Sequence, residues 1–313
     1  MKPNQSCPPK SSPAKSSPLK LSSLELSPIV AGMWRLDKWN FSVKQRQKFI
    51  NNCVDLGVTS FDHADIYGDY QCEALFGQAI KGQTELRQKI QIVSKCGIRL
   101  ISNNRPNHRI KRYDSSYQHI IDSVDNSLRL LATDYLDCLL IHRPDPLMDA
   151  TEVGRAFNDL RSAGKILSAG VSNFLPHQRR LLQSGCDFEL STNQIEISVL
   201  QTNSLFDGSL DDCQQNNIVP MAWSPLASGE LFSPANTTAR SLSMLLGTIA
   251  KEYSCTIDQV ALAWLFRHPS NIKPVVGTGN LTRMQRAIEA RKIAISDQQW
   301  FEILQVSRGK PVR

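Results

Sequence analysis

The chain lacks several patterns that identify whole classes of protein. No run approaches the roughly 18 apolar residues of a membrane span, and the N-terminus has no apolar core of a secretory signal. Lys and Arg form no dense cluster, which gives little support for a nucleic-acid surface. The formal net charge is +7, but four lysines lie in the first 20 residues, which leaves only +3 elsewhere. We therefore expect neither a membrane nor a nucleic acid as partner.

Cysteine is present, but not at the spacings of a metal site or a redox motif. No C-x-x-C occurs, and no Cys–His spacing is typical of zinc binding. Widely separated cysteines of this kind predict reduced thiols in a cytoplasmic protein without a metal. The eight are Cys7, Cys53, Cys72, Cys96, Cys138, Cys186, Cys213 and Cys255.

Two segments of different composition divide the chain. Residues 1–20 contain five prolines and five serines and no aromatic side chain, so they have too little apolar surface to offset the entropy of ordering. This pattern predicts a disordered basic tail; a transit peptide is the alternative, but the segment has no Arg. Residues 21–313 have the composition of one globular domain.

Within that domain, eight short apolar runs predict β-strands, and amphipathic stretches follow them. One helix is predicted from the spacing of Ile120, Val124, Leu128 and Leu131, and another ends before Gly164. The predicted strands are Ile29–Trp34, Thr59–Asp62, Ile92–Lys95, Leu136–His142, Ser168–Ser172, Ser191–Gln194, Val219–Trp223 and Pro274–Gly277.

Eight strand–helix units without a break in composition favour a single-domain α/β fold, the (β/α)8 TIM barrel. A doubly wound sheet is the competing architecture. It would be expected to carry a G-x-G-x-x-G fingerprint, and the nearest match, Gly277-Thr278-Gly279, has Thr282 where the third glycine belongs.

The polar residues that close the apolar runs are the candidate catalytic groups, because a barrel builds its active site at the C-terminal ends of its strands. Asp62, Lys95 and His142 end three runs, and Tyr67 follows Asp62 by five positions. An ammonium near a phenol favours the phenolate and lowers its pKa, while a neutral His can donate a hydrogen bond to a carbonyl oxygen. These residues predict a proton-donating site for a carbonyl compound.

Several motifs carry a resemblance to a known family. They include FDHADIYG at 61–68, VSKCG at 93–97, LIHRPD at 140–145, GVSNF at 170–174 and MAWSPL at 221–226. With these motifs the chain resembles the aldo-keto reductases over residues 25–310, and within them the bacterial YdhF-type oxidoreductases. The resemblance implies NADPH-dependent reduction of an aldehyde or ketone, with Tyr67 as general acid, Lys95 and Asp62 tuning it, and His142 positioning the carbonyl.

The resemblance also implies where the cofactor binds. Ser172, Asn173 and Gln194 match positions that hold the nicotinamide carboxamide, and Trp223 matches the ring that stacks on it. Arg283, supported by Arg286, is expected to favour NADPH over NADH by pairing with the 2′-phosphate. The remaining expected cofactor residues are Ser224, Leu226 and Gly229 near the pyrophosphate, and Gly277, Thr278 and Asn280 near the adenosine phosphate.

Trp34 and Trp39 follow the first strand and are candidate contacts for a small carbonyl substrate, with core packing as the alternative. The resemblance suggests a monomer. Two other functions stay open: a dinucleotide-binding redox sensor with little turnover, and a barrel lyase or isomerase that uses Lys95 as a Schiff-base amine.

Overall fold

The computed structural model describes residues 24–311. The predicted tail, residues 1–20, lies outside the described residues. The strands are β1 (Val30–Gly32), β2 (Ser60–Asp62), β3 (Gln91–Cys96), β4 (Ile98–Arg99), β5 (Arg112–Tyr113), β6 (Leu136–Ile141), β7 (Ile166–Ser172), β8 (Thr192–Glu196), β9 (Val219–Trp223) and β10 (Lys273–Val276).

Eight of these strands form a closed parallel ring in the order β1, β2, β3, β6, β7, β8, β9, β10. The ring closes where Val30 of β1 pairs with Val275 of β10. All eight predicted strands are present, so the predicted barrel is confirmed. The first is shorter than predicted, because the chain turns at Met33, whose carbonyl accepts a hydrogen bond from the Leu36 amide, and Trp34 lies beyond the strand.

Helices follow the strands and cover the ring. Their bounds are α1 (Val43–Asp55), α2 (Tyr67–Tyr70), α3 (Cys72–Ile80), α4 (Thr84–Lys89), α5 (Tyr117–Leu131), α6 (Ala150–Ser162), α7 (Pro176–Gln183), α8 (Ser209–Gln215), α9 (Thr237–Glu252), α10 (Ile257–Phe266), α11 (Leu281–Glu289) and α12 (Asp297–Arg308). None of the helices within residues 24–311 has the length and apolarity of a membrane span.

The core has two layers because successive side chains of a strand point to opposite faces. On β3, Val93 and Lys95 point into the ring, whereas Ile92 and Cys96 point outward and pack under the helices. The outer layer is the larger, and it includes Trp264 and Trp300, whose rings stack 5.0 Å apart and whose indole N–H groups each donate to the other residue's backbone carbonyl. These two tryptophans join α10 to α12.

Beyond the ring, β4 and β5 pair antiparallel as a small hairpin, with Ile98 opposite Tyr113. Sequence patterns predicted no strand in this segment. Its two strands have two residues each, too short to produce an alternating pattern.

Candidate active site

Four polar residues converge at the C-terminal mouth of the ring, as the sequence predicted. Asp62 is the last residue of β2, Lys95 is the second-last of β3, and His142 directly follows β6. Tyr67 begins α2. We call these four residues the acid centre.

Lys95 connects the acid centre through all three of its ammonium hydrogens. Its Nζ lies 2.7 Å from Asp62 Oδ1, 3.0 Å from the Tyr67 hydroxyl and 2.7 Å from the backbone oxygen of His63. The Lys95 side chain is completely buried, and Asp62 is nearly so. Breaking a buried pair of this kind leaves an uncompensated charge, so the arrangement is expected to be rigid.

Burial and the charge of Lys95 act in opposite directions on Tyr67. Burial raises the pKa of the Tyr67 phenol, Lys95 lowers it, and the net result is a pKa above the usual value. The sequence predicted a lowered pKa, and that prediction is wrong for the structure as described, because it considered the ammonium and not the desolvation of the phenolate. Burial also lowers the pKa of Lys95, but Asp62 and Tyr67 outweigh it and the net pKa is raised.

His142 is held neutral beside Tyr67. Burial lowers its pKa well below the usual range, and the positive charges of Lys95 and Arg143 lower it further. Its ring meets the Tyr67 ring edge-on, with centroids 5.9 Å apart. Nδ1 is buried without a hydrogen-bond partner among the described residues. A buried lone pair is tolerated more readily than a buried unpaired N–H, so the proton is expected on Nε2.

Tyr67 stands at the start of α2, which is a left-handed turn and not a regular helix, because Gly68, Asp69 and Tyr70 all have positive φ. A Cβ on Gly68 would lie 2.5 Å from the Cys72 sulfur, so only glycine fits there. The loop between β4 and β5 holds this turn. Asn104 donates to the Asp69 carbonyl at 2.9 Å, and the Tyr70 hydroxyl accepts from the backbone amide of Leu100.

Beside the acid centre, polar side chains from β7, β8, β9 and the residue after β7 form what we call the amide network: Ser172, Asn173, Gln194 and Trp223. Asn173 donates from Nδ2 to the Ser172 hydroxyl at 2.8 Å and accepts at Oδ1 from the Trp223 indole N–H at 2.9 Å. Gln194 donates from Nε2 to Asp62 Oδ1 at 2.8 Å. The side chains expected to hold a carboxamide therefore lie together and within reach of the acid centre.

Residues 224–229 form a strained turn after β9, which we call the β9 loop. Ser224, Ala227, Ser228 and Gly229 all have positive φ. Left-handed conformations of non-glycine residues cost free energy and cluster at ligand sites. A hydrogen bond between the Ser224 and Ser228 hydroxyls, 2.7 Å long, closes the turn.

The segment after β10 leads into α11. Asn280 caps this helix by accepting from the Arg283 backbone amide, and the Thr278 hydroxyl accepts from the Asn280 amide. The Arg283 side chain is exposed at the helix start, where the helix dipole also favours an anion. Arg286 differs, because its guanidinium lies 3.6 Å from Asp258 and is therefore partly committed to that carboxylate.

Comparison with known proteins agrees with this geometry. The model of the aldo/keto reductase family matches residues 28–308. The chain belongs to the aldo/keto reductase family. Family membership confirms the predicted fold and the predicted class of enzyme, a reductase of carbonyl compounds that uses a nicotinamide dinucleotide.

Individual members of the family show how far this similarity extends. Oxidoreductase YdhF of Escherichia coli is 48% identical over 90% of this chain and 94% of its own length. A 6-dehydroglucose reductase of Agrobacterium fabrum is 46% identical over 91% of this chain and 95% of its own length. A solved aldo/keto reductase of Klebsiella pneumoniae, in complex with NADP and acetate, is 26% identical with a TM-score of 0.74 and covers 92% of this chain and 93% of its own.

The two tryptophans predicted to contact substrate have different surroundings in this aldo/keto reductase. Trp34 is 58% exposed and carries the Arg35 guanidinium 5.0 Å over its ring. Trp39 packs edge-on against Phe49, with centroids 5.1 Å apart, and its ring lies beside Gly279. The contacts of Trp39 are those of a packing residue that supports the segment after β10.

A second set of buried groups lies behind Lys95, on the outer face of the reductase barrel. Glu73 accepts a 2.6 Å hydrogen bond from Ser94, the neighbour of Lys95, and burial raises the pKa of Glu73 to about 7. His63 points outward against Phe76, and burial with the charge of Lys95 lowers its pKa to about 3. Burial raises the pKa of Cys96 well above its usual value, as expected for an unreactive thiol.

Sequence patterns did not indicate three residues that the structure brings to the candidate active site. Arg143 stands 5.4 Å over the Trp223 ring, and its charge acts on both Tyr67 and His142. Asn104 and Tyr70 hold the turn that carries Tyr67. The only sequence signal for Arg143 was its position next to His142; nothing local indicated the other two. No group of three or more His, Cys, Asp or Glu within residues 24–311 is arranged to hold a metal ion.

Proposed function

We propose that this enzyme reduces an aldehyde or ketone to an alcohol with NADPH, using Tyr67 as the general acid. The observation that carries the proposal is the 3.0 Å contact between Lys95 Nζ and the Tyr67 hydroxyl inside a buried centre that also contains Asp62. Bound NADPH supplies the hydride that reduces the carbonyl carbon.

The residues of the chain fit this cofactor. The amide network offers both hydrogen-bond donors and acceptors for a carboxamide, and the half-buried Trp223 has a flat face for the nicotinamide ring. Ser224, Leu226 and Gly229 of the β9 loop are assigned to the pyrophosphate. Gly277, Thr278, Asn280 and Arg283 are assigned to the adenosine phosphate, with Arg283 selecting NADPH over NADH.

Tyr67 delivers the proton in this mechanism. Its pKa lies above the usual value, so the phenol is protonated at neutral pH and can transfer its proton to the carbonyl oxygen. The phenolate that remains is stabilised by the Lys95 ammonium, whose own charge is balanced by Asp62. Neutral His142 donates from Nε2 to the same carbonyl oxygen, which orients it and stabilises its developing negative charge.

Replacing Tyr67 with Phe tests the assignment of the acid. We expect kcat/KM for carbonyl reduction to fall by about 10²–10⁴-fold, the usual contribution of a general acid, while the dissociation constant of NADPH changes by less than about twofold. The measurements are NADPH oxidation at 340 nm and titration of Trp fluorescence. Retention of turnover would remove Tyr67 from the acid role. Equal loss of NADPH affinity would mean that the variant disturbs the cofactor site.

The substrate proposal rests on similarity and on the mouth of the barrel. The 6-dehydroglucose reductases of Agrobacterium fabrum and Novosphingobium aromaticivorans, 46% and 33% identical, make a polyhydroxylated aldehyde the first compound to assay. Trp34 and Arg143 are the assigned contacts at the mouth, one an exposed apolar face and the other a hydrogen-bond donor. A panel that pairs sugar-derived aldehydes with apolar aldehydes of equal size measures this preference.

The structure favours the reductase over the Schiff-base alternative. A Schiff-base lysine must be a free amine, whereas Lys95 is an ammonium with a raised pKa and three acceptors. A redox sensor that binds the dinucleotide with little turnover differs from an enzyme only in rate. Single-turnover oxidation of bound NADPH by a reactive dicarbonyl separates the two, because a sensor transfers hydride negligibly.

We also propose a cytoplasmic monomer. The described cysteines are all free thiols, which suits a reducing compartment. Size-exclusion chromatography with light scattering tests the monomer, because a species of 35.0 kDa is expected.

A further inference from the structure

One oxygen of Asp62 contacts both the ammonium of Lys95 and the side-chain amide of Gln194, a residue far away in the sequence. Asp62 Oδ1 lies 2.7 Å from Lys95 Nζ and also accepts the 2.8 Å hydrogen bond from Gln194 Nε2. Gln194 is 132 residues from Asp62 in the chain, and both residues are only 2% exposed. The bond therefore crosses the interior of the barrel and is shielded from water.

The chemistry of this bond fixes the orientation of the Gln194 amide. A carboxylate that pairs with an ammonium can only accept hydrogen bonds, so the NH2 group of Gln194 must face Asp62. The amide oxygen, Oε1, is left as the free acceptor of the side chain. No residue within 24–311 donates a hydrogen bond to it.

Asn173 is fixed in the complementary sense. The indole N–H of Trp223 can only donate, so it determines that Asn173 Oδ1 faces Trp223 and that the NH2 group of Asn173 is available as a donor. The amide network therefore presents one fixed donor group and one fixed acceptor. A primary carboxamide, with one C=O and one NH2, is the group that matches both.

We propose that Asp62 is a positioning residue for the cofactor site as well as the partner of Lys95. By holding the Gln194 amide in one orientation, Asp62 makes Gln194 Oε1 the acceptor for the NH2 group of the nicotinamide carboxamide. The inference rests on the proposed function, in which Gln194 contacts that carboxamide. It adds that one carboxylate has two roles: it balances the Lys95 ammonium beside Tyr67, and it determines the selectivity for the carboxamide of the cofactor.

The test compares two oxidised cofactors that differ at one group. In 3-acetylpyridine adenine dinucleotide phosphate a methyl group replaces the carboxamide NH2 of NADP+, while the carbonyl is kept. Dissociation constants of both are measured with the folded full-length protein by quenching of Trp fluorescence. We expect the wild type to bind NADP+ about tenfold more tightly, the value of one net hydrogen bond of about 1.4 kcal/mol.

Three variants separate the role of Asp62 from general damage. In Asp62→Ala the Gln194 amide is free to turn, so the preference for NADP+ should fall to about twofold or less. Asp62→Asn keeps an oxygen acceptor for Lys95 and Gln194, so it should retain the preference while losing the charge. Gln194→Met has no acceptor and should lose the preference with Asp62 intact. A merely structural defect would weaken both cofactors equally and leave their ratio unchanged.

A second measurement needs no Asp62 variant and no cofactor. In wild-type protein labelled with ¹⁵N-glutamine, the NH2 signals of Gln194 are identified by their loss in Gln194→Met. We expect these hydrogens to exchange with solvent at least tenfold more slowly than those of exposed glutamines. Rapid exchange would overturn the proposal, and so would an unchanged cofactor ratio in Asp62→Ala. Equal, tight binding of both cofactors by the wild type would also overturn it and leave the proposed function standing, whereas binding of neither would remove the proposed function itself.

Discussion

The acid centre and the β9 loop both lie at the mouth of the barrel and both have a role in the proposed function, but they are stabilised in different ways. In the acid centre the conformation is held by side chains: Lys95 satisfies all its hydrogens within a dry, charged cluster. In the β9 loop it is held by the backbone, which adopts several left-handed conformations around a short hydrogen bond. The difference suits the roles proposed for the two regions, because proton transfer needs fixed charges, whereas a loop that admits a large dinucleotide needs a preset shape with few side-chain contacts.

This contrast predicts its largest effect for Lys95→Met. Loss of the ammonium leaves the Asp62 carboxylate buried without its cation, so we expect a fall of about 3–5 kcal/mol in the free energy of unfolding. We also expect a loss of more than about 10²-fold in kcat/KM. Urea unfolding and NADPH oxidation measure the two effects. The matched control is Lys165→Met, which removes an exposed ion pair with Asp125 and should cost less than about 1 kcal/mol. Similar losses in the two variants would contradict the contrast.

Glu73→Gln tests whether a buried titratable group outside the acid centre, on the outer side of Lys95, also contributes to the pH dependence of stability. The pKa of Glu73 is raised to about 7 by burial, so the folded protein binds this proton more tightly than the unfolded chain does. Its contribution to stability is therefore complete below about pH 4.5 and is lost as the pH rises through 7, by about 3 kcal/mol in total. Unfolding free energies across this pH range should decline less steeply in Glu73→Gln. Parallel pH profiles for variant and wild type would show that Glu73 is not the titrating group.

Arg283→Ala tests the residue assigned to the adenosine phosphate. We expect it to change cofactor binding and to leave proton transfer from Tyr67 unchanged. The dissociation constant of NADPH should rise about tenfold, as for one charge-assisted contact, and that of NADH by less than about twofold. Arg286→Ala is the comparison, because Arg286 is already engaged by Asp258 and should discriminate less between the two cofactors. Equal weakening of NADPH and NADH in Arg283→Ala would assign the 2′-phosphate to another residue.

Gly229→Ala gives the smallest expected effect and tests the β9 loop itself. Gly229 has a φ of 97°, and nothing lies within 4 Å of the position of an added Cβ, so the penalty comes from the backbone alone. We expect NADPH affinity to fall about fivefold and stability by about 1 kcal/mol, with the pH dependence of the chemical step unchanged. Gly57→Ala is the control, since Gly57 also has positive φ and open surroundings but follows α1. It should share the loss of stability and spare the affinity.

The sequence predicted the parts of the site that follow from strand geometry. Asp62, Lys95 and His142 could be placed at one mouth because each closes an apolar run, and parallel strands of a barrel end on the same side. The cap of α12 was also predictable, since Ser296 and Gln299 have the spacing of a capping box and exchange both of its hydrogen bonds. Thr256 and Gln259 have the same spacing at α10, but of the two capping hydrogen bonds only the one from the Thr256 amide to the Gln259 side chain forms there.

The remaining features depend on contacts that no local pattern encodes. The hydrogen bond from Gln194 to Asp62 joins residues 132 positions apart, and the hold of Asn104 on the turn after Tyr67 depends on the path of an irregular loop. The raised pKa of Tyr67 also required the structure, because desolvation is set by everything that packs around the phenol. Residue types therefore indicated which groups transfer a proton, but the pKa values of those groups depended on how the protein packs around them.

The closure of the ring between β1 and β10 has a consequence for synthesis. Val30 of β1 pairs with Val275 of β10, which is synthesised much later. At about 5–20 residues per second, the ribosome adds β10 roughly 12–50 s after β1. During that interval the free edge of β1 is open to pairing with other chains. β1 is only three residues long, which makes that edge a poor template for aggregation. In a nascent chain that stalls before β10, the edges of both β1 and β9 would lack a partner. Quality-control factors would then encounter an open sheet with two free edges.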